Sequence, residues 1–128
     1  MVGNQAMIAI GIGCRRFTPA AAIEALIHRA MGQVGAAGAA ALFSIEDKAD
    51  ELGLIEAADH LGLPLTFLGR DVLRAQADGV TTRSARAEAA FGVPCVAEAA
   101  ALAGAGANAS LVVARIAADG VTCAVATV

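Results

Sequence analysis

Ile8-Ala9-Ile10-Gly11-Ile12-Gly13-Cys14-Arg15-Arg16-Phe17-Thr18-Pro19 is the stretch on which the reading of this chain turns. Met7 to Gly11 has the apolar, β-branched character of a buried strand, and Thr18-Pro19 then opens a helix with Thr as N-cap and Pro at the first helical position. Between them lie two glycines, a thiol and two guanidinium groups. Cationic donors gathered where a strand gives way to a helix suit an anion: Gly11 and Gly13 let backbone N–H groups approach it, the helix N-terminus adds partial positive charge, and Arg15 and Arg16 can grip carboxylate or phosphate bidentately. The same residues also read as a tight turn with two solvated arginines. A dinucleotide fingerprint would need a third glycine where Arg16 stands, and a P-loop would need Gly-Lys-Ser/Thr before the helix, so a nucleotide is disfavoured.

Outward from this turn the hydrophobic period alternates between helix-like and strand-like. Ile23, Ile27, Ala30, Met31 and Val34 form the stripe of the first helix, and Gly32, Gly35 and Gly38 lead the chain out of it. Ala40 to Ile45 predicts a second strand. A second helix runs from about Asp50 to Leu61 and stops at Gly62, before Pro64. Leu65 to Leu68 predicts a third strand, and Gly69-Arg70-Asp71 opens a short helix to about Ala77. Ser84 caps a helix over Ala85 to Phe91, and Val96 to Ala103 is helical again, followed by a connector from Gly104 to Ala109. Ser110 to Ile116 and Val121 to Val128 flank Asp119-Gly120, a strong hairpin signal. Strand-helix units followed by a hairpin imply one domain over residues 1–128. The fold class is α/β with three layers: a mostly parallel sheet, helices on both faces, and a C-terminal antiparallel hairpin.

Composition narrows the function classes. The chain has 128 residues, 58% of them hydrophobic and 16% charged, which is enough apolar material for a core. Its apolar excess is largely alanine, broken by Gly, Gln, Asn and Ser, so no stretch reaches the roughly 20 strongly apolar residues of a membrane span. Met1 to Ala6 lacks the basic region of a secretory signal, which gives a cytoplasmic expectation. A formal net charge of −3, with no Trp or Tyr and four Phe, disfavours nucleic acid as a partner. Cys14, Cys95 and Cys123 are widely spaced and without CxxC, which argues against a disulfide framework and against a metal site.

In such a sheet, ligands favour the crevice beyond the carboxyl ends of the strands. Gly11 to Arg16, Ser44 to Glu51 and Gly69-Arg70 are expected to face one cleft there. Lys48, within Glu46-Asp47-Lys48-Ala49-Asp50-Glu51, can aim a cation into it, or belong to a solvated loop with dipole-favourable acids. Glu98 and Ser84 carry the same double reading, as site groups or as helix-start residues. Arginines and a helix N-terminus would activate the Cys14 thiol, but no histidine lies nearby in sequence as a base. His28 falls away from the Ile23/Ile27 stripe and His60 suits the end of its helix, so neither is assigned catalysis. No nucleophile, base and orienter emerge as a set, and no cofactor is implied.

Taken in order, Gly11-Ile-Gly-Cys-Arg-Arg16, Ser44-Ile45 with Lys48-Ala49-Asp50-Glu51 and Gly53-Leu54, Leu61-Gly-Leu-Pro-Leu65, and Gly92-Val-Pro-Cys-Val-Ala-Glu98-Ala-Ala-Ala-Leu102 resemble the CobE family. That family is similar to the C-terminal domain of CbiG, and both belong to cobalamin (vitamin B12) biosynthesis. The resemblance spans nearly the whole chain. It implies an α/β domain that holds, or acts on, a precorrin or corrinoid intermediate, a macrocycle fringed with carboxylates for which Arg15, Arg16 and Lys48 would be counter-charges. A second enzyme of the pathway is then an expected partner. CbiG opens a lactone on its substrate, but only its C-terminal part is matched, so a related hydrolase stands as the alternative to a carrier. The ligand-binding set expected on this reading is Gly11, Gly13, Cys14, Arg15, Arg16, Ser44, Lys48, Ser84, Cys95 and Glu98. Phe17 departs from a common glycine, Arg83 from a proline, Arg115 from a lysine and Cys95 from a serine.

Overall fold

The alternation of Ile8, Ile10 and Ile12 with Ala9, Gly11 and Gly13 builds a strand with one bulky face and one bare face. In the computed structural model, which describes residues 7–35 and 38–128, this strand is β1, Ile8–Cys14. It is followed by α1 (Ala20–Met31), β2 (Ala40–Ile45), α2 (Leu52–Leu61), β3 (Leu65–Leu68), α3 (Arg70–Arg74), α4 (Ala85–Phe91), α5 (Val96–Ala105), β4 (Ser110–Ala118) and β5 (Val121–Thr127). The strand order is β3-β2-β1-β5-β4. β1, β2 and β3 pair in parallel, whereas β5 lies antiparallel between β1 and β4. Four strands therefore run one way and β5 runs against them.

Helices cover both faces. The isoleucines of β1 pack with Ile23, Leu26 and Ile27 of α1 and Leu54 and Ala57 of α2. On the opposite face, Ala9 joins Phe43, Ile45 and the alanines of α5, and Ala124 and Ala126 of β5 join Ala97 and Ala101. Seven of the ten α5 residues are buried, so its apolar composition is that of a core helix. Among the described residues no single helix is long and apolar enough to cross a membrane.

β2 and β3 have the bounds their patterns predict. The Asp119-Gly120 hairpin is also as expected: both residues adopt positive φ, 53° and 82°, the twist a two-residue turn needs to match its strands. Gly62 closes α2 in the left-handed conformation, and Ser84 caps α4 by accepting the Ala87 N–H at 3.2 Å. α5 runs to Ala105, two residues into the expected connector.

Two details of the opening turn differ from expectation. β1 runs on through Gly11 to Cys14 because its outer residues keep antiparallel partners on β5, from Ala9 opposite Ala126 to Cys14 opposite Val121. The Thr18 side chain does not cap α1. Its hydroxyl donates to the Arg15 carbonyl at 2.7 Å, closing the turn, and Pro19 takes the cap position. The expected exit glycines Gly35 and Gly38 flank residues 36 and 37, and the N-terminal residues 1–6 likewise lie outside the described residues.

Candidate functional site

β1 is where the chain turns both ways: it leads through α1 to β2 on one side, and the path from β3 returns over the other face, through α3 to α5, to the hairpin on the other side. A crevice beyond the carboxyl end of the strand at such a switch point is a favoured ligand position. A cleft of about 520 Å³ opens there, between the end of β1, the β4–β5 hairpin, α4 and the start of α5. Its volume falls in the range of small-molecule sites.

Gly13, Cys14, Arg15, Ser84 and Cys95 of the expected set line this cleft. Arg86 and Arg115, absent from that set, line it too. Arg15 is held by its backbone N–H, which donates to Gly120 of the hairpin turn at 2.9 Å. Arg86 sits in the first turn of α4, just beyond the Ser84 cap. Arg115 lies in an irregular part of β4: Val113 faces Val125 but Ile116 faces Cys123, so over this stretch β4 carries one residue more than its partner, after a first such shift between Leu111 and Val113. That surplus is a bulge, a device that re-aims side chains at a strand edge.

Among the described residues, none of Arg15, Arg86 and Arg115 joins an ion pair, whereas Arg70, Arg74 and Arg83 pair with Asp47, Asp71 and Glu88. Alongside Arg15, Arg86 and Arg115 the walls are mostly apolar, with Ala87, Phe91, Val96 and Val121. Asp119 is the acid on the rim.

Other expected residues lie elsewhere. Gly11 is buried in β1 beneath α5, where an added Cβ would meet the Ala97 carbonyl and the Ala101 amide nitrogen. Its bare face admits a helix backbone and so is no anion loop. Ser44 is also buried, its hydroxyl donating to the Ile12 carbonyl at 2.7 Å across the sheet. Arg16 stacks over the Phe17 ring at 5.5 Å and borders a separate hollow with Asp50, Glu51 and Leu52. There Phe17 is 87% exposed in a left-handed conformation (φ 62°), its N–H donating to the buried Glu51 carboxylate at 3.0 Å.

Lys48 lies on the single helical turn Glu46–Lys48, near enough to Cys14 to act on its thiol. The loops after β2 and β3 meet each other through the Arg70–Asp47 pair, at 2.6 Å, instead of sharing the cleft with the β1 turn. The single crevice expected beyond all three strands is therefore divided.

Burial, not activation, governs the three thiols. Cys14 packs its side chain with the α1–α2 core, and burial raises its pKa against the lowering influence of Lys48. Burial likewise raises Cys95, and drives Cys123 up to about 12.

Glu98, in the first turn of α5, is fully buried. Its Oε1 accepts the N–H groups of Thr81 and Thr82 at 2.6 and 3.0 Å, and its Oε2 accepts the Thr82 hydroxyl at 2.8 Å and the Arg115 N–H at 2.9 Å. Burial works to raise its pKa. The donors from Arg115, Thr81 and Thr82 outweigh it and hold the carboxyl below its ordinary value. Glu98 is thus consumed by structural bonds, and Lys48 lies outside the cleft walls.

Arg86 and Arg115 are invisible to motif reading because their convergence needs the α3–α5 return and the bulge. The faint signal was a charged residue, Arg115, within an otherwise apolar strand pattern.

Comparison with known proteins agrees with this architecture. The family described as cobalamin synthesis G C-terminus matches residues 8–126. Protein CobE of Sinorhizobium sp. is 36% identical over 121 residues, 93% of this chain and 79% of that protein. A crystal structure of CobE, a protein from the cobalamin (vitamin B12) biosynthetic pathway, superposes with a TM-score of 0.91 at 36% identity, covering 100% of this chain and 94% of that one. The cobalamin biosynthesis protein chiG from Agrobacterium tumefaciens gives a TM-score of 0.69 at 35% identity, covering 93% and 96% of the two chains. The sheet with its two helical faces, and a match running nearly from end to end, make this chain a cobalamin-biosynthesis protein of the CobE/CbiG C-terminal family.

Proposed function

We propose that this domain binds a precorrin or corrinoid intermediate by its peripheral carboxylates in the cleft at the end of β1, and holds it for another enzyme of the pathway. The observation that carries this reading is that Arg15, Arg86 and Arg115, none of them in an ion pair among the described residues, line one cleft with mostly apolar walls. Guanidinium forks separated by alanine, valine and phenylalanine surfaces match a flat apolar ring with acid arms. Holding, as opposed to converting, is supported by the engagement of Glu98 and by the raised, inward-packed Cys14. The chain's family membership supplies the ligand class.

The test mixes purified protein with early and late corrin intermediates and follows the ligand's absorption spectrum and its mass. A shifted spectrum at unchanged mass is the expected result. A new mass would replace the carrier by an enzyme, and an unshifted spectrum with every intermediate would overturn the reading.

A further inference from the structure

Glu98 does more than satisfy its own burial. Its two oxygens join segments far apart in sequence: Oε1 takes the Thr81 and Thr82 N–H groups from the loop that leads into Ser84 and Arg86, and Oε2 takes the Arg115 N–H from the β4 bulge. A bulge leaves a backbone donor without a ladder partner, and a buried donor without an acceptor is costly. Glu98 supplies that acceptor. Among the described residues it has no cationic partner, and all its bonds come from backbone N–H and threonine hydroxyl groups.

We propose that Glu98 is the positioning residue of the cleft: one buried carboxylate, bonded on one side to the loop preceding Arg86 and on the other to the backbone of Arg115, sets the separation of two of its three cationic arms. The inference rests on the binding function proposed above and assigns Glu98 a place in it outside the ligand's reach. The inverse arrangement, a carboxylate acting on the ligand, would need a free oxygen aimed at the cleft, and Glu98 does not line it.

Chemistry makes Glu98→Gln a selective probe. A glutamine that keeps its oxygen on the two Thr N–H groups must turn its NH₂ toward the Arg115 N–H, placing donor against donor, while the Thr hydroxyls can rotate to accept. The variant therefore keeps the loop and releases the bulge. In the ligand-free protein, amide hydrogen exchange at Arg115 rises at least tenfold while Thr81 and Thr82 stay protected. With a corrin bearing free peripheral carboxylates as probe, affinity falls about tenfold in Glu98→Gln, as in Arg115→Ala. The double variant falls no further, since Glu98 acts through Arg115. Losses that multiply in the double variant, or unchanged exchange at Arg115, overturn the proposal.

Thr82→Val provides a second approach from the other side. It removes the 2.8 Å hydroxyl bond to the same carboxylate, and exchange at Arg115 should rise there too; no change would sever the link. If the wild type fails to bind the probe, the binding function falls while the exchange measurements still decide the role of Glu98.

Discussion

Replacing Gly11 by alanine would place a methyl group 2.6 Å from the Ala101 amide nitrogen, and closer still to the Ala97 carbonyl oxygen. Both are backbone atoms of α5, so no side-chain rotation relieves the clash and the helix must lift from β1. Overpacking of a close-packed site costs about 1–3 kcal/mol, and a backbone obstacle puts Gly11→Ala at the upper end. Reduced entropy of the unfolded chain offsets about 0.4–1 kcal/mol, leaving a net loss of about 2 kcal/mol. With about 2.1 cal/mol/K of unfolding entropy per residue, a 128-residue chain then melts about 7 °C lower. Thermal unfolding followed by circular dichroism measures this directly. Gly35→Ala, where an added Cβ meets nothing within 4 Å, is the control and should leave Tm within about 2 °C, or raise it slightly. A Gly11→Ala protein that melts like the wild type yet loses its ligand would refute the packing argument and return Gly11 to the binding loop.

Stability should depend on pH through Glu98, whose folded pKa is depressed below its ordinary 4.5. Its contribution is complete above that value and drains away as pH falls through the lower, folded one. The stability gap between wild type and Glu98→Gln, read from urea midpoints, should therefore narrow as the solution is acidified below pH 4.5; a gap constant down to pH 2 would contradict it. Thiol labelling should follow burial: Cys14, partly buried, reacts first in the native protein, while the buried Cys95 and Cys123 require unfolding. Equal native labelling rates at all three, read by peptide mass spectrometry, would show that the core does not protect them.

The sheet was largely legible because its signals are local. Ala40 to Ile45 and Leu65 to Leu68 are short apolar runs bounded by breakers, and Asp119-Gly120 prescribes its own turn. The site was less legible because it depends on which face each residue takes. Ile8, Ile10 and Ile12 alternate with Ala9, Gly11 and Gly13, so the glycines belong to the bare face that receives the alanine-rich Val96–Ala105 helix. That period of two was present in the sequence, but the expectation of a glycine-rich loop ended the strand too early. Arg15 is legible from its place after β1. Arg86 and Arg115 reach the same cleft only through a return path over the sheet and an extra residue in β4, neither of which has a local signature. Glu98 showed the reverse difficulty: an acid in a first helical turn looks like a dipole partner, and only the folded chain brings Thr81, Thr82 and Arg115 around it.

The proposed binding mode has three arginines, unpaired among the described residues, hold a ring by its acid arms in one cleft. Its most direct test is a titration of wild type and of Arg15→Ala/Arg86→Ala/Arg115→Ala with a corrin bearing free peripheral carboxylates, at low salt and at high salt. The wild type should bind, its affinity should fall as salt screens the charges, and the triple variant, still folded by circular dichroism, should lose both the affinity and its salt dependence. A triple variant that binds as tightly as the wild type, with the same response to salt, would place the ligand elsewhere and remove the arginines from its binding.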